Sequence, residues 1–472
     1  MYLNALHNPF VYDDYHTVVA NASLDHVGNL RAIVLHDVTR PVVNFSYAVD
    51  RALWGPKPFG FHVTSVLLHM LNVALLFQLA RKAAGDGIAA WSAAALFAVH
   101  PMMTEAVGYV SGRSELLCAA WFLGALLCGR RWLLDGGARW GAATLACWFA
   151  GMASKETAAM FPFVFALYDV LLVAGPRLRR RLLHVHLPLV AVTVAAGIGR
   201  LAILRDEYGA GVAIHWRYAL LDLDVTARYV WLMIRPVGQT IFHAVSLPGI
   251  ADMRTFVAVA VLGLLVAIAW RLRNVQPAVS LGIAWCLALL VPSAVLILLD
   301  QGEPMTEHRV YAASLGLFIA AGRAIGWLDA WMLRARPAAR PFAGAALGLV
   351  LAGFVVNTLA RNSVWSDPVA LWSESVDLAP DHYRPRLLLG EALVDSGRRR
   401  EAIEQFQRAV SLRPSDPTGY VKLGQSLVDE GRFADARRNF SKALEIDPAN
   451  APARRSIASL DALERALGAH GR

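Results

Sequence analysis

Two adjacent carboxylates near the N-terminus, Asp13 and Asp14, are the residues of this sequence best suited to acid–base chemistry. They follow a short aromatic and apolar stretch, and a long series of apolar segments comes after them. A carboxylate held beside apolar groups has a raised pKa and is a better general base toward a hydroxyl. Aspartates also favour turns and helix caps, so a purely structural role for the pair stays open.

Four basic residues are candidates for binding a phosphate: Arg40, Arg113, Lys155 and Arg309. Arginine presents a rigid fork of donors that suits phosphate oxygens, and lysine supplies a compact charge. Arg113 lies at a predicted membrane boundary, where an arginine can instead extend to lipid headgroups. Lys155, one of five lysines in the chain, can instead pair with Glu156.

Further ionisable residues cluster near these positions and are candidates for lining the same site: His62, His69, His100, Glu105, Glu115, Glu156, Glu307 and His308. His62 and His69 share a predicted helical face with Ser65 and Asn72, which favours hydrogen bonding between helices over a catalytic role for His69. The spacing of His100 and Glu105 does not match a helical zinc pair, and the four cysteines lie in apolar segments. The sequence therefore predicts neither a metal site nor a disulfide.

Composition indicates the kind of scaffold that must hold these groups. The chain has 472 residues, of which 56% are apolar and 17% charged, and its mean hydropathy is +0.44. These values indicate a polytopic membrane protein with at least two units. The net charge of +9 comes from arginines in the connecting loops, so it does not indicate nucleic-acid binding.

Hydropathy predicts an all-α bundle of membrane helices. The apolar segments are 61–82, 88–99, 116–134, 138–152, 157–174, 187–204, 254–271, 277–299, 310–328 and 341–360. The stretch 218–235 is amphipathic and is expected to lie in the membrane interface.

Loop charge predicts the orientation of this bundle. One set of loops is rich in arginine, as at 177–181 and 334–340, and is therefore expected on the cytoplasmic side. The alternating loops hold the acid pair and segments 100–115, 155–156, 205–207 and 300–309. The candidate site is thus expected on the non-cytoplasmic face, together with the C-terminal region.

The C-terminal region contains a repeat. Pro380, Pro414 and Pro448 recur every 34 residues, and glycine, alanine and phenylalanine positions recur with them. This period predicts a tetratricopeptide α-solenoid of two full repeats with flanking helices, a fold that presents a surface for peptides or proteins. The predicted domains are a first outer loop (1–60), a membrane domain (61–360) and the repeats (361–472).

Several separated motifs resemble one known family. They are Asn8-Pro9-Phe10-Val11-Tyr12-Asp13-Asp14, Arg40-Pro41, Gly60-Phe61-His62, Leu68-His69, His100-Pro101 with Glu105, Gly112-Arg113-Ser114-Glu115 and Lys155-Glu156. In this order, and followed by the repeats, they resemble the transmembrane and tetratricopeptide repeat-containing O-mannosyltransferases and their bacterial relatives.

The resemblance implies a GT-C fold in a bacterial inner membrane and an inverting transfer that needs no metal or other cofactor. The donor would be a polyprenyl-phosphate sugar, typically mannose, and the acceptor a Ser or Thr hydroxyl of a protein. One residue of the pair Asp13 and Asp14 would act as general base while the other orients the acceptor. Arg113, Lys155, Arg309 and Arg40 would hold the donor phosphate.

The family pattern also places a hydrophobic helix before the acidic loop, and no such helix precedes Asp13 here. We therefore expect that the start codon is misassigned or that the chain is truncated. Two alternatives stay open. One is a GT-C transferase that acts on a glycan or lipid, and the other is a non-catalytic membrane scaffold whose repeats assemble an envelope complex.

Overall fold

A computed structural model describes residues 1–85, 87–207, 216–298 and 303–470. In these residues every regular element is helical, which confirms the all-α prediction. The predicted loop residue Asp300 lies outside the described residues, as do the side chains of 205–207.

The chain divides into two compact units. The first comprises Met1–Gln239 and Val245–Ser366, and the second comprises Thr240–Ala244 and the chain from Asp367 onward. Residues 1–60 thus fold in the same unit as the apolar helices, and the repeats begin six residues after the expected position 361.

The first unit contains helices α1 to α15. Their bounds are α1 Leu30–His36, α2 Pro41–Trp54, α3 Pro58–Ala84, α4 Gly87–Val99, α5 Thr104–Gly108, α6 Arg113–Asp135, α7 Ala138–Met152, α8 Phe161–Tyr168, α9 Leu178–Arg181, α10 Leu187–Glu207, α11 Trp216–Ile234, α12 Met253–Leu272, α13 Pro277–Leu298, α14 Val310–Ala335 and α15 Arg340–Val364. Short 3-10 and π-helical turns join them, among them Tyr15–Val19, Val110–Gly112 and Glu307–Arg309.

Within the described residues, eight helical segments are long and apolar enough to cross a membrane. They are Pro58–Ala84, Val110–Asp135, Glu156–Val173, Leu178–Gly199, Met253–Leu272, Pro277–Ala294, Glu307–Ala335 and Pro337–Val364. A ninth results if α4 and Pro101–Gly108, which meet at an angle of 58°, form one broken span. The predicted segment 138–152 forms α7, whose 15 residues are fewer than the roughly 20 that a span needs.

The break after α4 directs polar residues toward the candidate site. Pro101 cannot donate a backbone hydrogen bond to α4, so the helix ends before it. The Nδ1 atom of His100 accepts from the backbone N–H of Met102 at 3.3 Å and caps the new turn. Helix α5 then runs in a new direction and carries Glu105 in its first turn.

Glycines allow α14 to approach its neighbours closely. A Cβ atom on Gly316 would overlap the carbonyl oxygen of Gly282 in α13 and would lie 2.8 Å from the Cβ of Trp285. A Cβ on Gly322 would overlap the carbonyl oxygen of Ala89 in α4. Small residues at such contacts let membrane helices pack backbone to backbone. This packing fixes α14, and with it the turn Glu307–Arg309 at its N-terminus.

The second unit contains α16 Pro368–Leu378, α17 Tyr383–Asp395, α18 Arg399–Leu412, α19 Pro417–Asp429, α20 Phe433–Ile446 and α21 Ala451–His470. In each full repeat the ring of a buried phenylalanine packs against a glycine of the preceding helix: Phe406 against Gly390, and Phe440 against Gly424. A side chain at either glycine would overlap that ring. The glycine and phenylalanine positions that revealed the repeat are therefore the contacts that hold each helix pair together.

Candidate active site

The two aspartates have different environments. Asp14 is fully buried, and its carboxylate accepts hydrogen bonds from the backbone N–H of Val11 at 3.1 Å and of Ser111 at 2.8 Å. It also accepts from the Oγ of Ser111 at 2.6 Å. Asp13 is exposed. The side chain of Asp14 therefore anchors the segment, while that of Asp13 is free to meet a substrate.

Local backbone geometry separates the two side chains. Tyr12 adopts a positive φ of 52°, a conformation that L-residues other than glycine seldom take. The chain then enters the turn Tyr15–Val19, in which the carbonyl of Asp13 accepts from the backbone N–H of Thr17 at 2.9 Å. The backbone N–H of Asp13 donates to the hydroxyl of Tyr109 at 3.1 Å. Contacts on both sides of Asp13 thus fix its backbone.

Burial raises the pKa of Asp14 to about 7, and the negative charge of Asp13 adds to this, while the hydrogen bonds from Ser111 and Val11 oppose it. An unperturbed carboxyl of this kind has a pKa of 3.8. Between this pH and about pH 7 the folded state therefore binds more protons than the unfolded state. This contribution to stability is present below about pH 4 and is lost as the pH rises to about 7.

We expect the wild-type protein to lose about 4 kcal/mol of this contribution across that range. The stability of the variant Asp14→Asn should depend less on pH, because the variant lacks the ionisation of Asp14. The measurement is thermal unfolding in detergent at pH 4 to 8. Parallel slopes for the two proteins would exclude a raised pKa for this carboxyl.

Asp13 lines a polar cavity of about 220 Å³. The cavity is formed by residues 13–17, the end of α1, the residues before and within α2, the segment from the end of α5 to the start of α6, and the turn Glu307–Arg309. Its lining residues are Asp13, His16, Thr17, His36, Asp37, Arg40, Val43, Asn44, Tyr47, Tyr109, Ser111, Ser114 and His308. A carboxylate, an arginine and a histidine from distant parts of the sequence thus face one space.

The start of α2 places Arg40 in this cavity. The carboxylate of Asp37 accepts from the backbone N–H groups of Thr39 at 2.9 Å and of Arg40 at 3.1 Å, and Pro41 then begins the helix. Burial opposes the charge on Arg40, but the carboxylates of Glu156, Asp37 and Glu115 outweigh it and raise the pKa of the guanidinium. Arg40 is therefore a fixed cation at the cavity wall.

Lys155 forms a second ion pair next to that of Arg40. Arg40 pairs with Glu156 at 3.3 Å, and both side chains stay about two-fifths exposed, at 39% and 43%. Lys155 is buried and pairs with Glu115 at 2.8 Å. The charges of Lys155 and Arg309 both act on Glu156 as well. Of the four predicted phosphate ligands, Arg40 lines the cavity, while Lys155 and Arg309 are not among its lining residues.

His308 also lines the cavity, although it lies far from Asp13 and Arg40 in the sequence. Its Nδ1 lies 2.5 Å from Oε1 of Glu105, and the second oxygen of Glu105 accepts from the backbone N–H of Glu307 at 3.0 Å. Glu307 in turn accepts from the side-chain amide of Gln239 at 3.0 Å. When Nδ1 of an imidazole is hydrogen-bonded to a carboxylate, the orientation of the ring is fixed and Nε2 is the nitrogen that can contact another group. Glu105 and Glu307 therefore orient His308 instead of lining the cavity.

Arg113 does not line the cavity. It is fully buried and pairs with Asp50 at 2.6 Å, while its guanidinium donates to the carbonyl of Phe61 at 2.7 Å. Its charge also lies 4.7 Å from the centre of the Tyr47 ring. Neither phosphate nor a lipid headgroup is needed to explain this residue, so we do not retain it as a donor ligand.

The three predicted histidines His62, His69 and His100 are buried in helix contacts outside the cavity lining. Nε2 of His62 lies 3.1 Å from the carbonyl of Asn8, and that of His100 lies 3.0 Å from the carbonyl of Met233. Nδ1 of His69 lies 2.8 Å from the hydroxyl of Tyr311. This arrangement favours the alternative of hydrogen bonding between helices.

The chain is similar to known families over two separate segments. Residues 38–198 match the family of dolichyl-phosphate-mannose-protein mannosyltransferases, and residues 387–451 match the tetratricopeptide repeat family. Over 190 residues the chain is 32% identical to the protein O-mannosyl-transferase Tmtc1 of Drosophila melanogaster, and over 194 residues it is 31% identical to TMTC2 of Homo sapiens. A longer alignment with Tmtc3 of Drosophila melanogaster is 26% identical and covers 87% of this chain.

Over these segments the chain is similar to TMTC-type protein O-mannosyl-transferases. The alignments cover 37% of the chain and 22% of Tmtc1, 36% of the chain and 22% of human TMTC2, and 54% of Tmtc3. The chain thus spans between about a fifth and about half the length of these relatives. The family match at 38–198 contains Arg40, Glu105 and Lys155.

The sequence did not predict several residues that line the cavity. His16, His36, Asp37 and Tyr109 were not predicted, although all four line it. His36 and Asp37 lie four and three residues before the candidate Arg40, and Tyr109 lies four before Arg113. Proximity to a candidate was the one available signal. The contact between Asp13 and Tyr109 depends on the fold.

Proposed function

We propose that the protein transfers mannose from a polyprenyl-phosphate donor to a Ser or Thr hydroxyl of a protein, on the non-cytoplasmic face of the membrane. The observation that carries this proposal is that Asp13, Arg40 and His308 face one cavity. A base and anion-binding groups in one space are what transfer of a sugar from phosphate to a hydroxyl requires. Similarity to TMTC-type protein O-mannosyl-transferases supports the same choice.

In the proposed reaction, Asp13 accepts the proton of the acceptor hydroxyl. The hydroxyl oxygen forms a bond to C1 of the sugar while the bond from C1 to the phosphate oxygen breaks. The electron pair of that bond leaves with the polyprenyl phosphate. A single displacement of this kind inverts the configuration at C1 and uses no metal.

The charge that develops on the leaving phosphate has partners in the same region. Arg40 lies at the cavity wall, and Lys155 directly precedes its partner Glu156 in the sequence. Fixed cations in a site of low dielectric stabilise such a charge more than water does. The repeats of the second unit would bind the protein acceptor.

Replacing Arg40 tests the phosphate assignment. We expect Arg40→Gln to raise the KM for the donor by about 10- to 100-fold, since a lost charge-assisted hydrogen bond costs about 1.5–3 kcal/mol. The measurement is transfer of labelled mannose to a Ser/Thr peptide in micelles, with polyprenyl phosphate as competitor. The control is Arg51→Gln, also in α2, whose native residue pairs with Asp25. Equal donor KM values for the two variants would contradict the assignment.

A further inference from the structure

The C-terminal end of α15 contacts the N-terminal segment that carries Asp13, the proposed general base. The side-chain amide of Asn4 donates to the carbonyl of Leu359 at 3.0 Å, and the amide of Asn362 donates to the side chain of Asn4 at 3.1 Å. The side-chain amide of Asn8 donates to the carbonyl of Asn362 at 3.4 Å. Residues just before Asp13 are thus tied to a helix that lies more than three hundred residues later in the chain.

A second contact leads from α15 to Asp13 itself. The ring of Trp365, which caps α15, stacks on the ring of Tyr109 with centroids 5.6 Å apart and an angle of 30° between the planes. Both rings are buried. The hydroxyl of Tyr109 accepts from the backbone N–H of Asp13 at 3.1 Å. The position of Asp13 therefore depends on a tyrosine whose ring packs against Trp365.

We propose that Trp365 is a positioning residue for Asp13 and acts through Tyr109. Together with Leu359 and Asn362 it forms a contact surface at the C-terminal end of α15, here called the α15 end. The N-terminal segment that carries Asp13 packs against this surface. A displacement of about 1 Å at a reacting group can lower a rate by about 100-fold. Because the α15 end holds Asp13 in position, it controls turnover. This inference rests on the proposed function of Asp13.

The chemistry of Trp365 indicates what it contributes. Within the described residues its indole N–H is buried without a hydrogen-bond partner. Its contribution is then the stacked ring, which a phenylalanine can supply in part and an alanine cannot. A conservative replacement should therefore rescue positioning.

The experiment compares Trp365→Ala, Trp365→Phe and Tyr109→Phe with Trp285→Ala as control. Trp285 is equally buried but packs on Phe122 inside the membrane bundle. Amide hydrogen exchange of the peptide that contains Asp13 reports its position without requiring activity. Kinetics in micelles separate kcat from the donor KM, and thermal unfolding reports stability.

We expect Trp365→Ala and Tyr109→Phe to speed exchange around Asp13 and to lower kcat by about 10- to 100-fold, with the donor KM changed by less than about threefold. Trp365→Phe should keep most of kcat. Trp285→Ala should lower the unfolding temperature and leave exchange around Asp13 unchanged. Combining Trp365→Ala with Tyr109→Phe should add little, because both act on one contact.

Unchanged exchange around Asp13 in Trp365→Ala would overturn the inference, and so would an equal loss of kcat in Trp365→Phe. A failure of the proposed function has a different signature, since the wild-type protein would then transfer no mannose, and a failure of the role of Asp13 would leave Asp13→Asn with full transfer. The exchange measurement would still test the contact in that case.

Discussion

Asp13→Asn is expected to lower kcat for mannose transfer by about 100- to 10,000-fold, the range that a lost general base produces. The side chain is exposed at the cavity wall, and within the described residues its carboxylate oxygens form no hydrogen bond or ion pair that the fold needs. The variant should therefore fold normally, with an unfolding free energy within about 0.5 kcal/mol of wild type. The donor KM should change little, because the phosphate is held by other groups. Transfer and thermal unfolding are measured on the same micellar sample.

Two comparisons make this prediction specific. Asp25→Asn removes an exposed carboxylate from the same N-terminal region, one that pairs with Arg51, and should leave kcat unchanged. Asp14→Asn replaces the buried anchor, so it should lower turnover and also change the pH dependence of stability, which Asp13→Asn should not do. If Asp13→Asn kept more than about a tenth of wild-type kcat, Asp13 would not be the base.

Arg113→Met is expected to lower stability by about 3–5 kcal/mol, because it leaves the charge of Asp50 buried and unpaired. The side chains of Arg113 and Asp50 are exposed by only 0% and 3%, so solvent cannot compensate. The variant also loses the hydrogen bond to Phe61 and the contact with the Tyr47 ring. Thermal unfolding and the yield of monodisperse protein in detergent measure the effect.

A second substitution separates this structural role from phosphate binding. The double variant Arg113→Met with Asp50→Asn removes both charges and keeps an acceptor for the hydroxyl of Thr64, which donates to Asp50 at 2.7 Å. We expect it to recover much of the lost stability and to transfer mannose with a donor KM near that of wild type. A double variant that folds but no longer binds the donor would restore Arg113 as a phosphate ligand.

The membrane helices and the repeats could be predicted from local patterns in the sequence. Apolar runs predicted the membrane helices, and the recurring Gly390 and Phe406 positions predicted the repeats, because each pattern reports a contact within or between neighbouring helices. Arg40 and Lys155 were recognised as cations among polar residues, and the structure places them in one region. Such signals lie within short stretches of sequence.

The division of roles within the site could not be predicted in this way. Asp13 and Asp14 are identical residues side by side, and what distinguishes them is the positive φ of Tyr12 and two donors from Ser111. Likewise, Arg113 differs from Arg40 because Asp50 meets it in the interior. These contacts join residues far apart in sequence, so they arise only when the helices pack.

The most direct test of the account asks whether Asp13, Asp37 and His308 share one cavity on one side of the membrane. Each is replaced singly by cysteine in a background whose four native cysteines are alanine, and sealed vesicles of known orientation are treated with an impermeant maleimide. The account predicts labelling of all three from the non-cytoplasmic side, and slower labelling of the cysteines at 37 and 308 when polyprenyl phosphate is present. Labelling of position 13 and position 308 from opposite sides would contradict it.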